Sequence, residues 1–460
     1  MSQKIPTRKE RFQQGKALRE KCSRGMHAKY EPRSSSIDPI KLLEDSNIDR
    51  ISGLIAIRYQ RMSESAFKFF RGSAIIQARD LEHSPVSGIN VQLCGDCHLM
   101  NFGGFASVER NMVFDINDFD ETFPGPWEWD VKRLVVSLEL AARDMDFSKN
   151  IAENAVRAAV SSYRERMAEF AQQTVLQRWY NQITVENLLD FFKKDTQMLN
   201  RLKSVKPHAL SKTSEAIFPK LTETVKGYAK IKEDPPLVYH FTGTLDMNKI
   251  VQLSLEDYRK SLQTDRRHLL DRFHFQDAAV KVVGIGSVGT RCFVALFLAD
   301  EDDPLFLQAK EARRSVLEPP IGKSLFEHQG HRVVHGQHVM QASSDIFLGW
   351  YRNVNGRDFY VRQLRDMKVS AEVENFNPRV LTAYATMCGW ALARAHAKTG
   401  EVEMIAGYLG TKENFDDAIV QYAISYADQV ERDFKTFKAV INSGRLKTKI
   451  DSPKTLEFDL

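Results

Sequence analysis

Apolar positions recur every three or four residues along most of this chain and switch to alternating runs in two places, at 89–120 and 278–363. From Pro39 to about Leu81 the pattern is helical, and it holds the unusual segment Phe67-Lys-Phe-Phe-Arg-Gly72. Residues 89–120 predict strand, loop, strand, closed by Pro124 and Pro126. Two helices follow. Asp130 is placed to N-cap the first, through Leu134, Val135 and Leu138, and the second carries Val156, Val160, Tyr163, Met167 and Phe170. Further helices are expected over 185–240, ending at Pro235-Pro236 as a linker. Strands are expected at 280–289, 291–300, 305–312 and 357–364, with a helix over 324–341. Helices return at 378–398 and at about 413–436.

A chain of 460 residues exceeds one compact core and suits two lobes or more. The pattern divides it into a basic polar arm (1–45), a helical lobe with the candidate chemistry (46–240), a strand-rich lobe (241–370), helices completing the helical lobe (371–445) and a tail (446–460). The fold class is α+β. With 65 Lys+Arg against 60 Asp+Glu, the net charge of +5 gives no reason to expect nucleic acid. Much of the excess lies in the first 33 residues, which read as a solvated arm or docking segment; Ser34, Ser35 and Ser36 read as a flexible stretch. No apolar leader and no run of about 18 apolar residues occurs, so neither export nor a membrane span is expected. Five scattered cysteines are no disulfide framework, and together these features predict a cytoplasmic protein.

The candidate chemistry begins at Cys94-Gly-Asp-Cys-His-Leu-Met-Asn101, followed by Met112-Val-Phe-Asp-Ile-Asn-Asp-Phe-Asp-Glu121. Phosphoryl transfer needs a carboxylate beside the attacking hydroxyl and oxygen ligands for magnesium. Asp96 on a strand-flanked loop supplies the base, and Asn101 and Asp115 supply metal ligands, with Asp118 as a further one. Asp118, Asp120 and Glu121 would equally serve to solvate a turn. Three rivals fit less well. Haem attachment at C-x-x-C-H needs export, a redox C-x-x-C needs a βαβ setting, and a metallophosphoesterase needs downstream G-N-H and G-H-x-H segments that this chain lacks.

The segment resembles the catalytic loop of the aminoglycoside and choline phosphotransferase branch of the kinase-like superfamily, roughly H-G-D-x-H-x-x-N. Gly95, Asp96, His98 and Asn101 stand at the matching places, with Cys94 where that branch usually has His. The resemblance implies that Asp115 is the second metal ligand and that Asp130 braces the loop.

Gly284-Ile-Gly-Ser-Val-Gly289 lies between two expected strands, the arrangement that covers ATP phosphates in protein kinases. Gly284, Gly286, Ser287 and Gly289 are therefore nucleotide-binding candidates. Lys310, about twenty residues on, looks like the phosphate-gripping lysine of a third strand. Its usual partner is a helical Glu, and Glu327 is the one acid in the expected helix. Residues 357–364 look like the strand entering a hinge, and Ala391–His396 resembles the helix that precedes a phosphotransferase catalytic loop, with His396 read as an interior residue. Arg71 would either clamp a phosphate or brace the catalytic loop through a carbonyl.

Kinases place the glycine turn and lysine before the catalytic Asp, whereas here they follow it by about 190–215 residues. The expectation is a circularly permuted, protein-kinase-like two-lobe fold in which Lys310 sits close to Asp115. The implied cofactors are ATP and Mg2+, and the implied partners are a nucleotide and an unidentified small-molecule or protein acceptor. Alternatives are a nucleotide-binding pseudokinase and an AMP-transferring enzyme. From about 60 to 430, segments such as SESAFKFFRG, VQLCGDCHLMNFG and VGIGSVGTRCF also resemble a bacterial family known as domain of unknown function 2252.

Overall fold

A computed structural model describes residues 5–34, 36–240, 247–364 and 367–449. Ser35, the first residues of the expected 241–370 lobe and most of the expected tail lie outside that range. The N-terminal segment, expected as a solvated arm or docking segment, docks through Arg19 and Arg24 on the 407–409 carbonyls. Thr7 caps α1 (Arg8–Ala17) with a capping box, and Gly15 lets α1 lie against a helix near the other end of the chain. Beyond it, Arg33 is buried between Asp80 and Asp433.

Helices α2 (Pro39–Asp45), α3 (Ser52–Met62), α4 (Ala66–Gly72) and α5 (Ala74–Leu81) follow, as the apolar spacing predicts. Next come β1 (Asn90–Leu93), β2 (Phe102–Ala106), β3 (Met112–Ile116) and β4 (Phe123–Pro126). Instead of ending the unit, Pro124 and Pro126 lie in β4, which pairs antiparallel with β1. Proline is tolerated there because the ribbon has only two strands and each has a free edge.

Long helices α6 (Trp127–Asp144) and α7 (Lys149–Phe170) build the core, and α6 starts earlier than expected: Pro126 is its N-cap and Asp130 lies in its first turn. Short helices α8 (Val175–Tyr180), α9 (Val185–Phe191), α10 (Thr196–Leu210) and α11 (Ser214–Leu221) lead to the hairpin β5 (Thr222–Val225) and β6 (Tyr228–Ile231) and to β7 (Val238–Tyr239). These strands replace the helices expected before residue 240.

After α12 (Met247–Ser261) and α13 (Thr264–Leu270) come β8 (His274–Lys281), β9 (Cys292–Asp300) and β10 (Asp303–Glu311). Then follow α14 (Glu318–Ile321), α15 (Gln329–Met340), β11 (Gly349–Arg352), β12 (Asp358–Gln363) and β13 (Val369–Ser370). Helices α16 (Pro378–Thr399), α17 (Val402–Leu409) and α18 (Asn414–Asn442) close the chain.

One sheet has the order β11-β12-β10-β9-β8-β7, antiparallel between all neighbours. Alternation gives it two faces. Phe293, Phe297, Leu307 and Val361 pack with Tyr258 of α12 on one side, while Val294, Leu296 and Phe306 pack with Ile217 and Ile231 on the other. The main core lies in the helical body, where α6, α7, α16, α17 and α18 surround β1 and the 94–101 loop. Past β12 the chain crosses from the sheet to that body, for β13 pairs with β2.

Candidate functional site

The 94–101 loop is held from below by α6. Asp130 accepts the backbone N–H of Cys94 at 2.8 Å and of Gly95 at 3.0 Å. Gly95 has φ +88°, and a Cβ there would lie 2.2 Å from the Glu121 carbonyl oxygen, so the tight turn requires glycine. His396 of α16 is fully buried, accepting or donating between Tyr163 at 2.9 Å and Asp130 at 3.3 Å, which makes it the interior residue expected. One turn after Asp130, Arg133 donates to Asp96 Oδ1 at 2.8 Å and to the Phe70 carbonyl at 2.7 Å. The sequence reading missed Arg133, although its three-residue spacing from Asp130 puts both on one helix face.

Asp96 thus keeps Oδ2 for other partners, with His98 Nε2 at 3.8 Å. Burial pushes the His98 imidazole down to about 4, so the ring is neutral near pH 7. The Asn101 amide donates to the Asp96 carbonyl at 2.7 Å, which leaves its own oxygen to accept.

Asp115 does not join them. It is fully buried on β3, and its carboxylate accepts from Arg394 at 2.7 and 2.9 Å and from the Ala342 N–H at 2.8 Å. Strand geometry turns it into the helical body, away from Lys310. The carboxylates that meet the lysine come from the loop just after β3. Lys310 Nζ ion-pairs with Asp120, 190 positions away, and lies 3.9 Å from Asp118 Oδ2. Tyr360 donates to the other Asp120 oxygen at 2.7 Å. Burial works against the charge on Lys310, but Asp118 and Asp120 outweigh it and hold its pKa well above the ordinary value. Asp118 is lowered: burial opposes its ionisation, and Lys310 and Arg362 overcome that.

Glu327 is no partner for Lys310. It precedes α15 and is exposed, and α15 contains no acid. This helix reaches the loop differently, through Arg332, which donates to the carbonyls of Asp120 and Thr122 at 2.8 and 2.6 Å.

The glycine turn joins β8 to β9 as predicted, with Gly284 at φ +66° and Gly289 at φ +88°. Its carbonyls are tied from outside: Gly284 accepts from Arg61, Val288 from Arg50, and Gly289 from the Ile51 N–H. Gly286 lies over the Arg71 carbonyl, 3.4 Å from where a Cβ would be. Among the described residues Arg71 makes no hydrogen bond to the loop and its buried Nε has no partner, so the bracing contact is that of Arg133.

These residues line one cavity of about 310 Å3, which holds Asp96, His98, Asn101, Asp118, Asp120 and Arg71 together with Gly284, Gly286 and Ser287. Gly289 and Lys310 are outside its lining. An adjoining cavity of about 370 Å3 shares Asp118, Gly284 and Ser287 with it and adds Lys310, Gln308, Arg362 and Lys368. Burial lowers Lys368 to about 7. A third, apolar cavity of about 190 Å3 lies between α12 and the far face of the sheet; Ala309 points into it, while neighbouring Lys310 points the opposite way.

The Asn101 oxygen and the Asp118 carboxylate both line the first cavity and are hard oxygen donors of the kind magnesium takes. Among the described residues, Cys94, Cys97 and Asp130 also converge within 4.8 Å. Burial raises the Cys94 thiol well above its usual range and Cys97 to about 11, and Asp130 is engaged by the loop, so this group reads as packing.

No described helix is long and apolar enough to cross a membrane. No curated protein and no solved structure matches the chain. A family described as an uncharacterized protein conserved in bacteria matches residues 50–440, a span that contains the glycine turn, Lys310 and the whole 94–121 region. The chain therefore belongs to the bacterial DUF2252 family.

Proposed function

We propose that this protein is a kinase-like phosphotransferase that uses Mg·ATP and a hydroxyl acceptor. The observation that carries the reading is the convergence of Lys310 with Asp118 and Asp120 beside the Asp96 loop, from segments 190 positions apart. A glycine turn between β8 and β9, a lysine on the next strand, β10, and a helix after it resemble the parts of a kinase small lobe. Their order in the chain is that of a circular permutation.

In this reading the nucleoside occupies the cavity lined by Gln308 and Arg362, with phosphates under Gly284, Gly286 and Ser287. Lys310 neutralises phosphate charge, and Arg71, whose Nε has no hydrogen-bond partner among the described residues, offers its guanidinium to the transferred group. Asn101 and Asp118 would hold magnesium, which supplies charge neutralisation between phosphates. Asp96, aimed by Arg133, takes the proton of the acceptor hydroxyl as its oxygen bonds to the γ-phosphorus and the bond to ADP breaks. Neutral His98 lies beside Asp96, its Nε2 3.8 Å from Oδ2.

A nucleotide-binding pseudokinase is the second reading, favoured by the absence of any acid on α15. The test is thermal stability with and without Mg·ATP, followed by product analysis. At 100 times its dissociation constant a nucleotide adds about 2.7 kcal/mol. The expected shift is magnesium-dependent and lost in Asp118→Ala and Lys310→Ala, with ADP released. AMP and pyrophosphate would point to AMP transfer, a shift without products to a pseudokinase, and no shift at millimolar ATP would end the nucleotide reading.

A further inference from the structure

The first cavity holds a cluster of arginines that the proposed nucleotide site does not use. Arg50, Arg58 and Arg313 line it, and none of the three lines the adjoining cavity. All three converge on Ser46, the residue that ends α2. Arg50 Nε donates to the Ser46 carbonyl at 3.0 Å, Arg313 to the same oxygen at 3.1 Å, and Arg58 to the Ser46 hydroxyl at 3.0 Å. Their other bonds go to neutral acceptors as well: Val288, Ile48 and Gly72 carbonyls and the Asn47 side chain.

Among the described residues none of these three arginines has a carboxylate in ion-pair contact. That sets them apart from Arg33, Arg133, Arg164, Arg178, Arg291 and Arg394, each of which meets one. The acids that share the cavity with them are already engaged. Asp45 pairs with Lys41, Asp96 with Arg133, and Glu311 with Arg291 and Arg357; Glu121 accepts the Val316 N–H. Capping the end of α2 accounts for one cation, since a helix C-terminus carries only about half a negative charge. Three guanidiniums crowded there repel one another, and an anion between them would relieve that repulsion.

Taking the phosphotransferase reading as its basis, we infer that Arg50, Arg58 and Arg313 form an acceptor subsite for a dianionic group, so that the acceptor is a hydroxyl compound that already bears a phosphate monoester. Guanidinium forks match phosphate oxygens in pairs, and the cluster shares its cavity with Asp96, where the acceptor hydroxyl must sit. Burial leaves few waters to compete: Arg58 is 2% exposed.

The experiment is calorimetric titration of inorganic phosphate into the full chain saturated with a non-hydrolysable Mg·ATP analogue, in wild type, Arg313→Gln and Arg313→Lys. Phosphate is expected to bind alongside the analogue, about tenfold or more weaker in Arg313→Gln, with partial recovery in Arg313→Lys. Analogue affinity should stay within about twofold. Phosphate that displaces the analogue, fails to bind in its presence, or binds Arg313→Gln as tightly as wild type overturns the subsite. Failure of the analogue itself to bind wild type would instead remove the phosphotransferase reading. If Arg313→Gln does not fold, turnover of wild type decides: neutral polyols serving as acceptors as well as their phosphate monoesters would also overturn it.

Discussion

Asp115 and Asp118 stand three positions apart and do different work. Asp115 is the sole carboxylate partner of the buried Arg394 among the described residues, so Asp115→Asn leaves a buried charge unpaired. The expected loss is about 3–5 kcal/mol in urea unfolding, because breaking one side of a buried pair strands the other. Asp118→Asn, at a side chain one-third exposed, should change stability far less while removing the magnesium-dependent response to ATP. If Asp115→Asn kept full stability and lost only the ATP response, Asp115 would be the metal ligand after all. Asp118 was visible in the sequence as one of three candidate acids, but its pairing with Lys310 was not. That contact depends on where β3 stops and the loop begins, and a residue just inside a strand is aimed by the pleat rather than by its chemistry.

Among the elements, α7 and α16 support the 94–101 loop at one remove from α6, which holds it directly: His396 of α16 bridges Tyr163 of α7 to Asp130. Both were legible as apolar stripes, and Asn377 with Pro378 marks the start of α16 in the usual N-cap and first-turn manner. Their closeness was not legible. A Cβ on Gly389 would lie 2.1 Å from the Ala159 carbonyl oxygen, so the helices touch backbone to backbone there. Gly389→Ala should cost about 1–3 kcal/mol through forced separation, despite the better helix propensity of alanine. An unchanged or raised urea midpoint would show that the helices can part freely. The N-terminal docking follows the same physics: Gly15 and Gly407 allow α1 and α17 equally close contact, and a basic composition gave no hint of it.

On the scale of the whole molecule, the first cavity is lined from three stretches that the chain delivers far apart, 45–75, 96–121 and 284–319. Hydrogen exchange with and without Mg·ATP tests whether they act as one site. Protection should appear in residues 95–101, 117–121 and 284–289 together, at the same ATP concentration. Protection confined to the glycine turn would mean a nucleotide that never engages the Asp96 loop, and the proposed function would fall.

What the sequence determined by itself is what local physics encodes. Side-chain periodicity set most of the helices and the strands of the sheet; glycines at 284 and 289 set a turn that needs positive φ; Asp96 and Asn101 marked a loop between two strands. Tertiary structure alone decided which acid faces Lys310, that Arg133 rather than Arg71 holds Asp96, and that three arginines meet at Ser46 without a carboxylate partner among the described residues. Those outcomes are pairings across long sequence separations between buried groups. No local pattern specifies them, because each follows from how strands alternate and helices pack once the chain has closed on itself.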